Sequence, residues 1–290
     1  MSNAKDIRSQ IKSIKSTQKI TKAMQMVAAS KMRRSQDAML EGRPYVDNIL
    51  RVIAHLLKAH GETKHPFFSE CDKQVKHIGY IVVSTDRGLC GGLNINQFKK
   101  LLTHVREWDN QGCDLQFSVF GRKGIAFVNR INGKITTSVD AYGDNPSLRD
   151  LIGGIRLMID AYRKGEIDRV YLVGNRFVNT MTQEPYIMQF LPATIVNDDD
   201  YAPHHAWTYD YEPDAEQLLN QLAVRYLESL VKQAVAENIA CEMSARMIAM
   251  KSASDNAANL IGELELQYNK ARQAAITQEL TEIVSGAAAV

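Results

Sequence analysis

The hydrophobic positions in the last quarter of the chain recur at spacings of three and four. From about Pro213 to Val290 they include Leu219, Leu222, Tyr226, Leu230 and Ala234, then Leu260, Leu264, Ala271, Ile276, Leu280 and Ile283. That spacing lays them along one face of a helix. No proline follows Pro213, only Gly262 and Gly286 interrupt, and most other residues are strong helix formers. Asp214 is placed to cap the first turn. A helix of roughly 75 residues is about 110 Å long, wider than a compact domain of this size. It must project, and its stripe needs a partner.

A second helical pattern fills residues 3 to about 57, with Ser2 or Asn3 as its cap. Ile7, Ile11, Ile14, Thr21, Met24 and Ala28 share one side; Lys12, Lys15, Lys19 and Lys22 share an adjacent one. Gly42 and Pro44 predict a kink or local break, after which the pattern resumes through Tyr45, Ile49, Val52, Ile53, Leu56 and Leu57. Gly61 and Pro66 end the segment.

Between these helices the period changes. VKHIGYIVVS, from Val75, is a β-branched run that predicts a buried strand. Then come the turn TDRGLCGGLN, a helix over NQFKKLLTHVREW and a strand at Asp114–Phe120. GRKGIAFVNR predicts a turn and short helix, SLRDLIGGIRLMIDAYRKG a longer one, and DRVYLVGNRF and PYIMQFLPATIV two more strands. Alternation of strands and helices predicts an α/β domain with a mostly parallel sheet. Turn chemistry at Gln183, Glu184 and Pro185 predicts that the last two strands pair antiparallel. Residues 197–213, NDDDYAPHHAWTYDYEP, form a polar linker.

The fold class expected is therefore α/β: a long antiparallel coiled coil of the two terminal helices plus a central Rossmann-like domain. Its parts span 1–60, 73–200 and 212–290. If both helices leave the domain at the same level, residue n of the first faces roughly residue 270 minus n of the second, since both rise equally. Met24 then lies near Arg246. The last twenty or so residues overhang without a partner in this chain, yet they carry Ile276, Leu280, Ile283 and Val284. They must fray or be housed by another protein.

Charge supports the pairing. The first 34 residues hold nine Lys or Arg and one acid, whereas residues 212–290 hold eleven acids and six bases. Net charge of +2 over 290 residues gives no footprint for nucleic acid or anionic membrane. No apolar run is long enough to span a bilayer, and the N-terminus lacks a signal-peptide core, so export is not expected. Cys71, Cys90, Cys113 and Cys241 lack paired spacing and are read as free thiols, with neither a zinc site nor a disulfide frame.

Each candidate for chemistry has a plainer reading beside it. STDRGLCGGLN joins a strand to a helix, where α/β proteins often bind ligands, but it is neither a Walker A loop nor GxGxxG. It cradles a phosphate or is a tight turn that needs glycines. Cys90 lacks a His and Asn or Asp arrangement and is read as a packed thiol. His204 and His205 beside Asp198, Asp199 and Asp200 are a metal candidate or a solvated charge run. Asp109 and Asp114 have no acid–base spacing. The basic face, with Lys31, Arg33 and Arg34, is solvated, binds nucleic acid or meets an acidic partner; residues 1–44 contain no aromatic for base stacking. CEMSARMIAMKSASDNAANL, residues 241–260, is rich in small residues and Met, for close helix packing or for a helix enclosed by partners.

IRSQIKSIKSTQKITKAMQMVAASKMRR, STDRGLCGGLN and YNKARQAAITQELTEIVSGA resemble the gamma-subunit family of bacterial F-type ATP synthases, essentially end to end. The resemblance implies a rotor shaft: an antiparallel coiled coil inside a ring of alpha and beta subunits. The α/β domain would sit at the foot, against the epsilon subunit and the c-ring. It also implies a non-catalytic, peripheral subunit at the cytoplasmic face of the inner membrane, with no cofactor and no nucleic acid. Met24 and Arg246 match coupling regions, and Arg272, Gln273 and Thr277 match polar contacts with the beta subunits. Two rival readings stay open: an α/β phosphate-ligand enzyme with helical oligomerisation arms, and a nucleic-acid-binding coiled-coil adaptor.

Overall fold

A computed structural model describes residues 4–59, 65–69, 74–144, 146–193 and 214–288. The elements in order are α1 (Ala4–Ala59), β1 (His77–Val83), α2 (Leu93–Asp109), β2 (Asp114–Phe120), α3 (Arg122–Arg130), β3 (Lys134–Val139), α4 (Leu148–Arg163), β4 (Arg169–Phe177), β5 (Gln183–Leu191) and α5 (Ala215–Ala288). The chain divides into two compact units: Met1–Ala29 with Arg246–Val290, and Ser30–Ala245.

The larger unit is built on a five-stranded sheet in the order β3-β2-β1-β4-β5. The first four strands are parallel and β5 is antiparallel to β4. Successive strand residues face opposite sides. Ile78, Tyr80 and Val82 therefore pack with Leu101 and Val105 of α2 and Val128 of α3. Ile81 and Val83 point the other way, to Leu151 and Ile155 of α4, Ile53 and Leu56 of α1, and Leu227, Val231 and Val235 of α5. Covering both faces is what lets the central strands be apolar throughout. Ser147 caps α4, its N–H and hydroxyl both donating to Asp150 (2.9 and 2.7 Å). Those bonds hold the Asp150 carboxyl below its ordinary range.

The structure corrects four expectations. β3 is absent from the sequence reading because KITTSV is an edge strand whose residues alternate between exposed and half-buried, with no apolar run. Gln183, Glu184 and Pro185 lie inside β5, and the reversal comes earlier. There the Asn179 side-chain oxygen accepts from the N–H groups of Met181 and Thr182, both at 2.8 Å. α1 is not broken at Pro44. Proline removes only the one N–H that would reach the Leu40 carbonyl and crowds the preceding turn, and Gln233 of α5 braces that turn by donating to the neighbouring Met39 carbonyl at 3.1 Å. Leu260 is exposed, and Ile261 takes the inward position instead.

The cap proposed at Asp214 agrees with its carbonyl accepting the Leu218 N–H at 2.9 Å, the first bond of α5. The cap at Ser2 or Asn3, the stop at Gly61 and the 197–213 linker lie outside the described residues.

Candidate functional site

In the smaller unit the inward positions of α5 are Met250, Ser254, Ala257, Ile261, Leu264, Tyr268 and Ala271. The steps between them alternate four and three, the period of a coiled-coil seam. Facing stretch 4–29 of α1 turns Ile7, Ile11, Ile14, Gln18, Thr21, Gln25 and Ala28 inward at the same period. The two stretches are antiparallel: Gln18 Nε2 donates to the Ser254 carbonyl at 3.4 Å, and Lys15 Nζ meets Glu265 Oε1 at 2.7 Å. Positions 18 and 254 sum to 272 and positions 15 and 265 to 280, against the 270 expected from equal rise. Those two pairs bring position 24 level with positions 248 to 256, from about half a turn to nearly three turns beyond Arg246.

The five residues singled out for coupling all lie in this unit. Met24 is half-buried on the seam side and Arg246 is buried, whereas Arg272, Gln273 and Thr277 are exposed. Beyond Ala271 every described residue of α5 is exposed, including Ile276, Leu280, Ile283 and Val284. On α1, Lys12, Lys15, Lys19 and Lys22 are exposed alongside Ile20, Met26 and Val27.

The glycine loop after β1 is filled by its own chain. Thr85 donates its hydroxyl to the Arg87 carbonyl at 2.8 Å, and Asn94 donates to Thr85 Oγ1 at 2.7 Å and Cys90 Sγ at 3.3 Å. Asp86 Oδ1 accepts from the N–H groups of Arg122 and Ala141, both at 3.1 Å. The first turn of α3, where an anion would be drawn, thus already faces a carboxylate. Within the loop Gly91 has φ of 58°, in the left-handed region that favours glycine. These contacts support the tight-turn reading.

Cys90 is buried with Leu93 and Cys241, as a packed thiol would be. Burial pushes the Cys241 thiol far up, with Glu237 adding to it, and burial likewise raises Cys113. Among the described residues no group of His, Cys, Asp or Glu could hold a metal ion. The His204/His205 cluster with Asp198, Asp199 and Asp200, and Cys71, lie outside them. Asp114 sits 3.3 Å from His77 Nδ1 at the start of β1. Within 241–260, residues 241–244 are buried by their own unit, so close packing accounts for them.

One constellation was missed from sequence. In the larger unit, α5 meets α4, β4 and the turn after β4 through a buried polar seam. Glu228, fully buried, pairs with Arg156 and Arg225, both at 3.1 Å. Glu237 accepts the Phe177 N–H at 3.0 Å, and Asn175 donates to Asn238 at 2.8 Å and Gln97 at 3.1 Å. Cys241 donates to the Asn175 carbonyl at 3.5 Å and Ser244 to the Thr180 carbonyl at 2.6 Å. The available signal was the recurrence of Glu228, Glu237, Asn238 and Ser244 along a helix otherwise set in a core.

A family model described as ATP synthase matches residues 3–290. The ATP synthase gamma chain of Dichelobacter nodosus is 60% identical over 290 residues, with all of both chains covered. That of Acinetobacter baylyi is 57% identical, again over the full length of both. Among solved structures, a chain of the Euglena gracilis mitochondrial ATP synthase OSCP/F1/c-ring assembly aligns with a TM-score of 0.67 at 18% identity, covering 99% of this chain and 94% of its own. A chain of the Tetrahymena thermophila mitochondrial ATP synthase central stalk/c-ring aligns at 0.58 and 23% identity, covering 81% and 99%. Those structural likenesses carry the fold, while the family rests on the full-length sequence matches: the chain belongs to the ATP synthase gamma-chain family.

Proposed function

We propose that this chain is the central rotor shaft of an F-type ATP synthase. It couples ion flow through a membrane ring to ATP synthesis and hydrolysis in an alpha–beta head, and it carries no active site itself. The observation that carries the reading is the change in surroundings along α5. Its first part is set into the sheet unit, its middle keeps one narrow inward seam, and its end exposes apolar residues. An amphipathic helix end with exposed Leu280, Ile283 and Val284 is marginal in water and gains order when other subunits surround it.

The mechanism follows from that surface. A shaft that turns inside a ring must avoid a large dry interface, which would hold it in one position. The outward positions of 246–288 are mostly small or polar, which keeps adhesion low. Discrete groups then distinguish one angle from another. Arg272, Gln273 and Thr277 would contact successive beta subunits, and Arg246 with Met24 would sit in the coupling region. Each beta subunit shifts toward the conformation that contacts them best. The α/β unit would form the foot, against the epsilon subunit and the c-ring. No helix among the described residues is long and apolar enough to cross a membrane, which fits a peripheral place on the cytoplasmic face of the inner membrane.

The test uses the assembled enzyme. Arg272→Ala with Gln273→Ala should lower ATP synthesis or assembly while leaving the circular dichroism of the chain unchanged. Normal synthesis by the assembled double variant would remove this pair from the mechanism. Tagging the chain and purifying it in mild detergent should bring alpha, beta, epsilon and ring subunits with it; recovery of the chain alone would contradict the shaft.

A further inference from the structure

The buried amides where α5 lies on the sheet unit form an ordered relay. Gln97 of α2 donates Nε2 to the Val83 carbonyl of β1 at 2.6 Å. A carbonyl only accepts, so this bond fixes which way the Gln97 amide points and turns its Oε1 toward Asn175 of β4. Asn175 must then present Nδ2, which donates to Gln97 Oε1 at 3.1 Å and to Asn238 Oδ1 of α5 at 2.8 Å. Gln97, Asn175 and Asn238 are all at most 1% exposed. The orientation of one strand carbonyl is thereby passed through two elements to a single residue of α5.

The relay costs stability. Asn175 Oδ1 has no partner among the described residues, whereas the Asn238 amide also faces the Tyr142 hydroxyl, and a buried polar group left unmet is unfavourable. An apolar trio would avoid that cost but would be indifferent to position. Directional polar groups in a core are instead suited to setting register. Moving α5 by one turn in one direction brings Ala234 opposite Asn175, with no acceptor to offer. The other direction brings the carboxylate of Glu242, which could still accept from Asn175, so that shift is opposed by the bonds on either side. Either shift also separates Glu237 from the Phe177 N–H and Ser244 from the Thr180 carbonyl.

We propose that Asn238, held by Asn175 and Gln97, is a positioning residue that fixes the axial and rotational register of α5 on the sheet, so that torque enters the helix without slip. The inference rests on the rotor reading above. Two substitutions of equal shape and equal added charge separate it from a merely structural role. Asn175→Asp replaces two N–H donors with a carboxyl that, even where burial keeps it neutral, offers a single O–H to the two oxygens it faces. Asn238→Asp keeps the acceptor that Asn175 uses.

The experiment reconstitutes the whole complex in vesicles and measures ATP hydrolysis together with ATP-driven proton or sodium uptake. With Asn175→Asp, the fraction of turnover not accompanied by ion uptake should rise about fivefold or more, the factor that one unmet buried group makes in an equilibrium. With Asn238→Asp it should stay as in the unaltered complex. Equal behaviour of the two variants, both coupled or both uncoupled, overturns the proposal. Should Asn175→Asp fail to assemble, Asn238→Leu replaces it; a rise in uncoupled turnover supports the relay and unchanged coupling overturns it. Complexes reconstituted without this chain separate the two claims. Ion uptake that survives its omission defeats the rotor reading. Uptake abolished by omission but fully coupled in Asn175→Asp defeats the relay alone.

Discussion

Residues 215–245 and 246–288 belong to one helix and meet different surroundings. The first stretch sits in the core of the sheet unit, where Leu227, Val231 and Val235 are fully buried and Glu228, Asn238 and Ser244 make directional bonds. The second turns a single seam inward and, past the buried Arg246, holds its charges in the open: Glu265 and its α1 partner Lys15 have side chains 50% and 51% exposed. Helix propensity is similar in both, so propensity does not set the difference. The difference lies in what the side chains can be lost to. Removing a core side chain leaves a cavity, whereas removing a rim side chain lets water in. One stretch is built to be held and the other to be handled by neighbours.

That contrast can be broken at several points. Leu227→Ala should cost roughly 2–5 kcal/mol in denaturant unfolding, because the side chain is fully enclosed. Leu280→Ala, at an exposed position, should stay within about 0.5 kcal/mol. Equal effects would mean that the two stretches do not differ as described. Removing both Arg156 and Arg225 strands the buried Glu228 carboxylate. The guanidinium groups are themselves half exposed, so the expected loss is about 2–3 kcal/mol, toward the lower end for a broken buried pair. No loss would show that water already reaches Glu228. The exposed Lys15–Glu265 pair should couple by less than about 1 kcal/mol in a double-mutant cycle, and less still in high salt.

Much of this contrast was legible in the sequence. Spacings of three and four marked α1 and α5, and equal rise placed Gln18 against Ser254 to within two residues but Lys15 against Glu265 only to within ten. A β-branched run marked β1, because a parallel strand buried on both faces must be apolar throughout, and shorter apolar stretches marked β2, β4 and β5. β3 escaped because an edge strand needs only one covered side. Leu260 was misplaced by one position, since adjacent apolar residues at 260 and 261 fit the periodicity equally and packing chooses between them. The glycine loop was ambiguous for a chemical reason: whether it cradles an anion or closes on itself depends on which side chains fold into it, and Thr85 and Asn94 do. The amide relay was invisible because Gln97, Asn175 and Asn238 are remote in sequence and acquire meaning only when three elements meet. The coupling residues Arg272, Gln273 and Thr277 came from the family resemblance, and periodicity alone marks them only as outward-facing.

The most direct measurement fixes the alpha–beta head to a surface and watches this chain. Lys164 is exposed at the end of α4, and a cysteine there would carry an optical probe. On addition of ATP the probe should turn through complete circles in one sense, at a rate that follows hydrolysis. A probe that keeps its orientation while the same complex hydrolyses ATP would contradict the shaft.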